Sequence, residues 1–260
     1  MSFTDKISVT IVVKNGGETI EKCLDALRHF NEIIVVDNES TDNTMHIVET
    51  FNRRHDNVKV FSTPFTGFGK MKQTAAMNTS NDWVLNIDAD EIASPELVTE
   101  IDNLKCNIQD IVAFPRKNHI AGRWIKACGW SPDYVFRLYN KTYTNFNDDI
   151  VHESIVRHHD TNLVYLKNSA DHLTAVDIET FINKMNRYTS FSANQKFRQG
   201  KTTTIGGAIV RFMFTFIKDY FFRRGIFYGY HGFLIALMNA NGAFYRYLKL
   251  YELHYNKKRT

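Results

Sequence analysis

Cysteine is scarce in this chain of 260 residues, with only Cys23, Cys106 and Cys128, odd in number and far apart. They match no zinc-ligand spacing and are read as reduced thiols of a cytoplasmic protein. The amino terminus, Met1-Ser2-Phe3-Thr4-Asp5-Lys6, lacks an apolar targeting stretch. A strong charge of one sign is also missing. The net charge of +4 is too mild to argue for nucleic acid as a partner. There is no internal repeat, no low-complexity tract and no obvious linker. The length suits one large domain, or one domain with an appendage, and a chain of this size buries about three quarters of its unfolded surface.

What is present falls into two regions. From residue 7 to about 115, apolar strands alternate with helical patterns. Val9–Val13 reads as a strand. Glu18–Phe30 has helical spacing, with Ile20, Cys23, Leu24, Leu27 and Phe30 on one face. Ile33–Asp37 is the next strand, and a helix with Ile47, Val48 and Phe51 inward follows the cap candidates Ser40-Thr41-Asp42-Asn43. Val58–Phe61 is a short strand, Lys70–Met77 a helix and Trp83–Asp88 a strand. Ser94-Pro95-Glu96 opens another helix, with proline suited to its first turn. This rhythm predicts an α/β fold with a mostly parallel sheet and right-handed crossovers. Past 115 the rhythm breaks into a loop over 122–133 containing Trp124 and Trp130, a strand at Tyr134–Tyr139 and a helix from Asp177 to Phe197.

Two acidic loops stand out, each ending an apolar run. Ile33-Ile34-Val35-Val36 leads into Asp37, and Trp83-Val84-Leu85-Asn86-Ile87 leads into Asp88-Ala89-Asp90-Glu91. Carboxylates at the carboxyl ends of strands lie where open α/β sheets bind ligands. Two aspartates one residue apart suit a divalent cation, Mg2+ or Mn2+, and through it a diphosphate. Asp90 is the better direct ligand, while Asp88 either faces the ribose or shares the metal. Glu91 either supports that site or caps the following turn. Asp37 can accept from a base N–H or a ribose hydroxyl. Lys70 and Gln73 offer a cation and an amide where a helix begins, against the plain reading of surface residues.

Residues 8–100 resemble a family 2 glycosyltransferase with the GT-A fold. Ser8-Val9-Thr10-Ile11-Val12-Val13-Lys14-Asn15 is similar to the family's opening strand. The stretch from Ile33 to Thr44 is similar to its second motif, whose aspartate binds the nucleobase, and Asp88-Ala89-Asp90 to its metal-binding DxD. More loosely, Val151-His152-Glu153, Asn186-Arg187-Tyr188-Thr189, Arg224-Gly225 and the run Gly229-Tyr230-His231-Gly232-Phe233 resemble lipopolysaccharide inner-core β-glucosyltransferases. The resemblance implies a GT-A domain over 1–200, with a nucleotide-sugar half to about 115 and an acceptor half over 116–200. A helical, aromatic and basic extension follows over 201–260. It implies a donor such as UDP-glucose held by Val12, Lys14, Asp37, Lys70, Gln73 and Asp88, and a heptose of the core, or another glycan, as acceptor. The alternatives are a GT-A transferase acting on another glycan or lipid-linked acceptor, or a non-catalytic nucleotide-sugar or glycan-binding protein of the same fold, against which the intact Asp88-Ala89-Asp90 and the candidate base argue. A nucleotidyltransferase is disfavoured because its glycine- and arginine-rich amino-terminal loop is absent.

Family 2 members invert the anomeric centre, which implies direct displacement with a metal steadying the departing diphosphate and a carboxylate taking the acceptor proton. The glutamate–aspartate pair that carries the base in many members is missing, so the base is assigned by position to Glu153, with Asp149 and Asp133 as substitutes. His152 and His172 are each a further metal ligand, a diphosphate contact or structural. Trp124 and Trp130 either close over the donor, stack on sugar or pack in a core.

Ile226 to Tyr251 is apolar and aromatic but contains His231, Asn239, Asn241, Arg246 and Lys249, too polar for a spanning helix. It reads as an amphipathic element at the inner face of the inner membrane, or as a helical subdomain packing on the sheet or on a second subunit.

Overall fold

The computed structural model describes residues 2–149, 153–175 and 177–257. The strands are β1 (Ile7–Val13), β2 (Glu32–Asp37), β3 (Val58–Ser62), β4 (Trp83–Asn86), β5 (Glu91–Ala93), β6 (Asp110–Ile120), β7 (Arg123–Trp124), β8 (Tyr134–Asn140), β9 (Asn162–Tyr165) and β10 (Ala170–Ala175). The α-helices are α1 (Ile20–Leu27), α2 (Thr44–His55), α3 (Phe68–Met77), α4 (Pro95–Asp102), α5 (Ile178–Arg198), α6 (Ile205–Ile217) and α7 (Gly229–Lys257).

The chain divides into two compact units, one of residues 1–117 and 133–173, the other of 118–132 and 174–260. This division differs from the one at residue 200. Helix α5 clusters with α7 rather than with the sheet, because its only buried positions, Thr189, Ser192 and Ala193, are small and suit close helix packing.

The sheet runs in the order β3-β2-β1-β4-β8-β6-β10-β5. β1 is parallel to β2 and β4, and β2 to β3. β8 is antiparallel to β4 and to β6, while β9 is parallel to β6. β1 and β2 are covered on both faces, which is why they read as largely apolar runs. The amphipathic face of α1 buries Ile20, Cys23, Leu24 and Leu27 against Ile7, Val9 and Ile11. On α2, Val48 and Phe51 are buried as expected, with Ile47 packed beside them. Ser94 caps α4 by accepting from Leu97 N at 3.1 Å, with Pro95 at the first position.

Strand β4 ends two residues earlier than expected. Asn86 turns its amide onto Thr10, at 3.1 Å from Oγ1, and the chain then folds into a turn closed by Glu91 N to Asp88 O at 2.9 Å. The register sets Val13 beside Asp37 and Thr10 beside Asn86, so both acidic loops leave the same end of the sheet on either side of β1.

In the second unit, α7 buries Gly232, Leu234, Ile235, Ala236, Met238, Ala240 and Leu250. Ile120, Ile125, Ala127 and Cys128 share a core with Ile235 and Ala236. A Cβ at Gly232 would stand 1.9 Å from the carbonyl of Gly225, so only glycine lets these two segments approach. The run from 226 to 251 is therefore largely a packing helix. No described helix is long and apolar enough to cross a membrane.

Candidate active site

The site grows from the loop after β4. Asp88 leaves the sheet beside Asn86, and each of its carboxylate oxygens meets a cation. Lys72 Nζ, on α3, is 3.1 Å from Oδ1, and Arg137, on β8, pairs with Oδ2. Burial opposes ionisation of Asp88, but the charges of Arg137, Lys72 and Arg116 outweigh it and hold the carboxyl well below the usual range. Arg137 also reaches Glu91 Oε1 at 2.7 Å and Asn86 Oδ1 at 3.1 Å. Arg116 adds a bond to Glu91 at 2.9 Å and to Asp133 at 2.9 Å. Glu91, fully buried, returns its other oxygen to the amide of Asp88 at 3.0 Å. Four charged side chains thus brace the acidic loop, and each buried charge has an opposite partner, as burial demands.

Lys72 is only 2% exposed, and its ammonium also lies 2.7 Å from Glu153 Oε1. One lysine therefore joins Glu153 to Asp88. The Lys72 ammonium also stands 5.1 Å from the centre of the Phe146 ring. The substitutes for Glu153 have partners of their own, as Glu153 has in Lys72. Asp133 is paired with Arg116, and Asp149 accepts from Asn147 Nδ2 at 2.9 Å.

Asp90 points to a different neighbour. His172 Nε2 is 3.5 Å from its Oδ2, brought there because β10 pairs with β5. Leu173 N donates to Asp90 O at 2.8 Å and fixes the two segments together. Two donors at right angles on one Mg2+, each about 2.1 Å from it, lie about 3 Å apart, so this carboxylate and imidazole fit a shared cation. Asp88 does not stand with them as a second ligand, because both of its oxygens face cations. Among the described residues no three His, Cys, Asp or Glu side chains gather around one point. Such a donor set suits a cation that takes its remaining ligands from substrate phosphates and water.

The other expected contacts divide. Asp37 is buried at the end of β2 and accepts from Ser40 N at 3.2 Å. Val12, half-buried, packs with Phe65 against Ile34, Val36, Met71 and Ala75. Lys14 and Lys70 are exposed. Gln73 is tied to the loop after β8, donating to Phe146 O at 2.6 Å and to Asp148 Oδ1 at 2.8 Å. His152 lies outside the described residues. Trp124 and Trp130 belong to the second unit. There the Lys126 ammonium sits 3.8 Å from the Trp124 ring centre, and Trp130 meets Phe181 edge to face. Asn186, singled out by resemblance, accepts from Lys249 Nζ through its side chain at 2.6 Å.

Sequence reasoning missed Lys72, Arg116 and Arg137. Two signals existed. Lys72 shares a helical face with the buried Ala75 and Ala76, and Arg137 interrupts the otherwise apolar run Val135-Phe136-Arg137-Leu138.

The family model described as glycosyl transferase family 2 matches residues 8–163. An uncharacterized glycosyltransferase of Rickettsia typhi is 35% identical over 260 residues, covering 95% of this chain and 87% of its own. The lipopolysaccharide core biosynthesis glycosyltransferase LpsC of Rhizobium meliloti is 28% identical, covering 97% of this chain and 94% of its own. Among solved structures, a mannosyltransferase of Pyrobaculum calidifontis, in complex with GDP-Man and Mn2+, superposes with a TM-score of 0.51 at 15% identity. The match covers 92% of this chain and 73% of that one, and it shows the shared fold.

Proposed function

The chain belongs to glycosyl transferase family 2 and has the GT-A fold, and on that footing we propose that it moves a hexose, glucose from UDP-glucose, onto a heptose of a lipopolysaccharide core. The acceptor class rests on the likeness to LpsC along nearly the whole chain. The donor class rests on the buried strand-end carboxylate of Asp37 and on the motifs around it.

The observation that carries the reading is the Lys72 bridge between Glu153 and Asp88. It sets a carboxylate of fixed orientation next to the acidic loop at the ligand-binding end of the sheet. In the proposed reaction the acceptor hydroxyl oxygen attacks C1 of the sugar. The bond from C1 to the diphosphate oxygen breaks on the opposite face, which inverts the centre. Glu153 takes the hydroxyl proton as the new bond forms, a contribution of about 10²–10⁴ in rate. Asp37 accepts from the base or ribose. Asp88, clamped by Lys72 and Arg137, keeps the loop in one conformation while charge shifts nearby. Asp90 and His172 would hold a divalent cation, which supplies charge neutralisation to the departing diphosphate.

The test is thermal stabilisation by UDP, GDP, CDP and dTDP, each with and without Mn2+ or Mg2+, followed by UDP release from UDP-glucose with heptose-bearing core oligosaccharides. A ligand that binds only the folded state raises the melting temperature by mass action. A shift specific to UDP with metal, and turnover only with the core acceptor, supports the proposal. Turnover with a different glycan or a lipid-linked acceptor would replace the acceptor assignment. No shift with any nucleotide at millimolar concentration would overturn the donor site.

A further inference from the structure

The second unit presents an apolar face that nothing in the described structure covers. Helix α6 and the two short turns after it, residues 205–228, expose large hydrophobic side chains in succession. Val210 is 67% exposed, Phe214 64%, and Phe222 and Phe227 81% each, with Met213 and Phe221 more than half exposed. Single exposed apolar residues are ordinary, but a contiguous run of aromatic and aliphatic groups marks an interaction surface.

Charge says what kind. The segment carries Arg211, Lys218, Arg223 and Arg224 and a single acid, Asp219. Asp219 is buried, 2% exposed, and is bonded to Arg223 at 3.2 Å and to Asn239 at 2.8 Å. The exposed face therefore shows aromatic rings and cations and no carboxylate. Lys218 lies with its ammonium 5.5 Å from the Phe214 ring centre, so cation and apolar surface belong to one patch. A protein partner of ordinary composition would require no such one-sided charge, whereas an anionic bilayer meets both features. Rings enter the boundary between headgroups and acyl chains, and cations face the phosphates. At 13 residues α6 is too short to span a hydrocarbon core, which takes about 20.

We propose that residues 205–228 form an interfacial element that binds the surface of an anionic phospholipid bilayer, lying in the plane of the membrane. The element shares only residues 226–228 with the 226–251 stretch singled out by sequence patterning, because α7 turns most of the rest of that stretch inward. The proposal does not depend on the transferase reading.

The test is flotation of the full chain with vesicles of phosphatidylglycerol and phosphatidylethanolamine, against vesicles of phosphatidylcholine alone. Light scattering of the free protein is measured alongside. Binding is expected only to the anionic vesicles and should weaken with salt. Phe214→Ser, Phe222→Ser and Phe227→Ser combined should lower partitioning at least tenfold. Lys218→Gln and Arg224→Gln should each lower it about fivefold, the factor for one basic residue near the surface. Phe214, Phe222, Arg224 and Phe227 are exposed and Lys218 half-buried, so unchanged circular dichroism and melting temperature are expected. Equal partitioning of wild type and the phenylalanine variant would overturn the proposal. So would a stable wild-type dimer that the same three substitutions dissociate, since a second copy would then cover the face.

Discussion

Lys72 Nζ lies 2.7 Å from Glu153 Oε1, and the same buried ammonium reaches Asp88 at 3.1 Å. A cation on the middle of α3 thus couples the candidate base to the acidic loop after β4. Glu153→Gln should bind UDP as the wild type does but lose about 10²–10⁴ in kcat, the usual range for a positioned base. Lys72→Met should lower kcat more than it raises KM, because it frees Glu153 without removing it. Steady-state kinetics with the core acceptor separates the two, and full turnover by Glu153→Gln would remove it from the mechanism.

The two aspartates of the loop should behave differently. Asp90→Asn and His172→Ala should weaken UDP binding in the presence of Mn2+ by tenfold or more and leave the fold intact. Asp88→Asn should instead destabilise the protein, by about 1–3 kcal/mol, because Arg137 keeps Glu91 and Lys72 keeps Glu153 but each loses its second carboxylate. Urea unfolding and calorimetric titration with UDP and Mn2+ distinguish a lost ligand from a lost brace. Equal stability of the Asp88 and Asp90 variants would contradict the geometry.

Glu32, far from the loop, controls acid stability. Burial opposes its ionisation, yet bonds from Lys59, Ser8 and Ser80 prevail and lower its carboxyl to about 2. A carboxyl more acidic in the folded than in the unfolded chain stabilises above its unfolded value near 4.5 and loses that stability as pH falls toward 2. Glu32→Gln should therefore be less stable than wild type at pH 7, and the gap should narrow between pH 4.5 and 2. Melting temperatures across that range check the sign. A gap that widens on acidification would refute it.

Gly69 ties α3 to the loop ahead of Glu153. Its amide donates to Asp149 O at 3.1 Å, and a Cβ there would stand 2.0 Å from the carbonyl oxygen of Asn147. The neighbour is backbone and cannot swing aside, so Gly69→Ala should displace the loop. A drop in kcat of tenfold or more is expected, with a melting temperature lowered by several degrees. Wild-type kinetics in this variant would mean that the 147–149 loop does not position the base.

Much of the fold was legible in the chain itself. The parallel strands β1, β2 and β4 are covered on both faces, so each is a nearly unbroken apolar run, and the acids Asp37 and Asp88 are visible because they end those runs. Ser94 and Pro95 mark the start of α4 by local chemistry alone. These features depend on neighbours within a few residues, and such signals survive in one dimension. The contacts that organise the candidate site do not. Lys72, Arg137 and Glu153 come from α3, β8 and the loop before β9, and only the order β1-β4-β8 and the packing of α3 bring their charges together. Asp90 meets His172 because a late strand, β10, pairs with β5. The same holds for the C-terminal helices. Patterning left residues 226–251 either a surface element or a packing helix, and close approach at Gly232 turned α7 inward and left α6 and its turns at the surface. Burial is a property of the partner as much as of the helix, and the partner is chosen by tertiary structure.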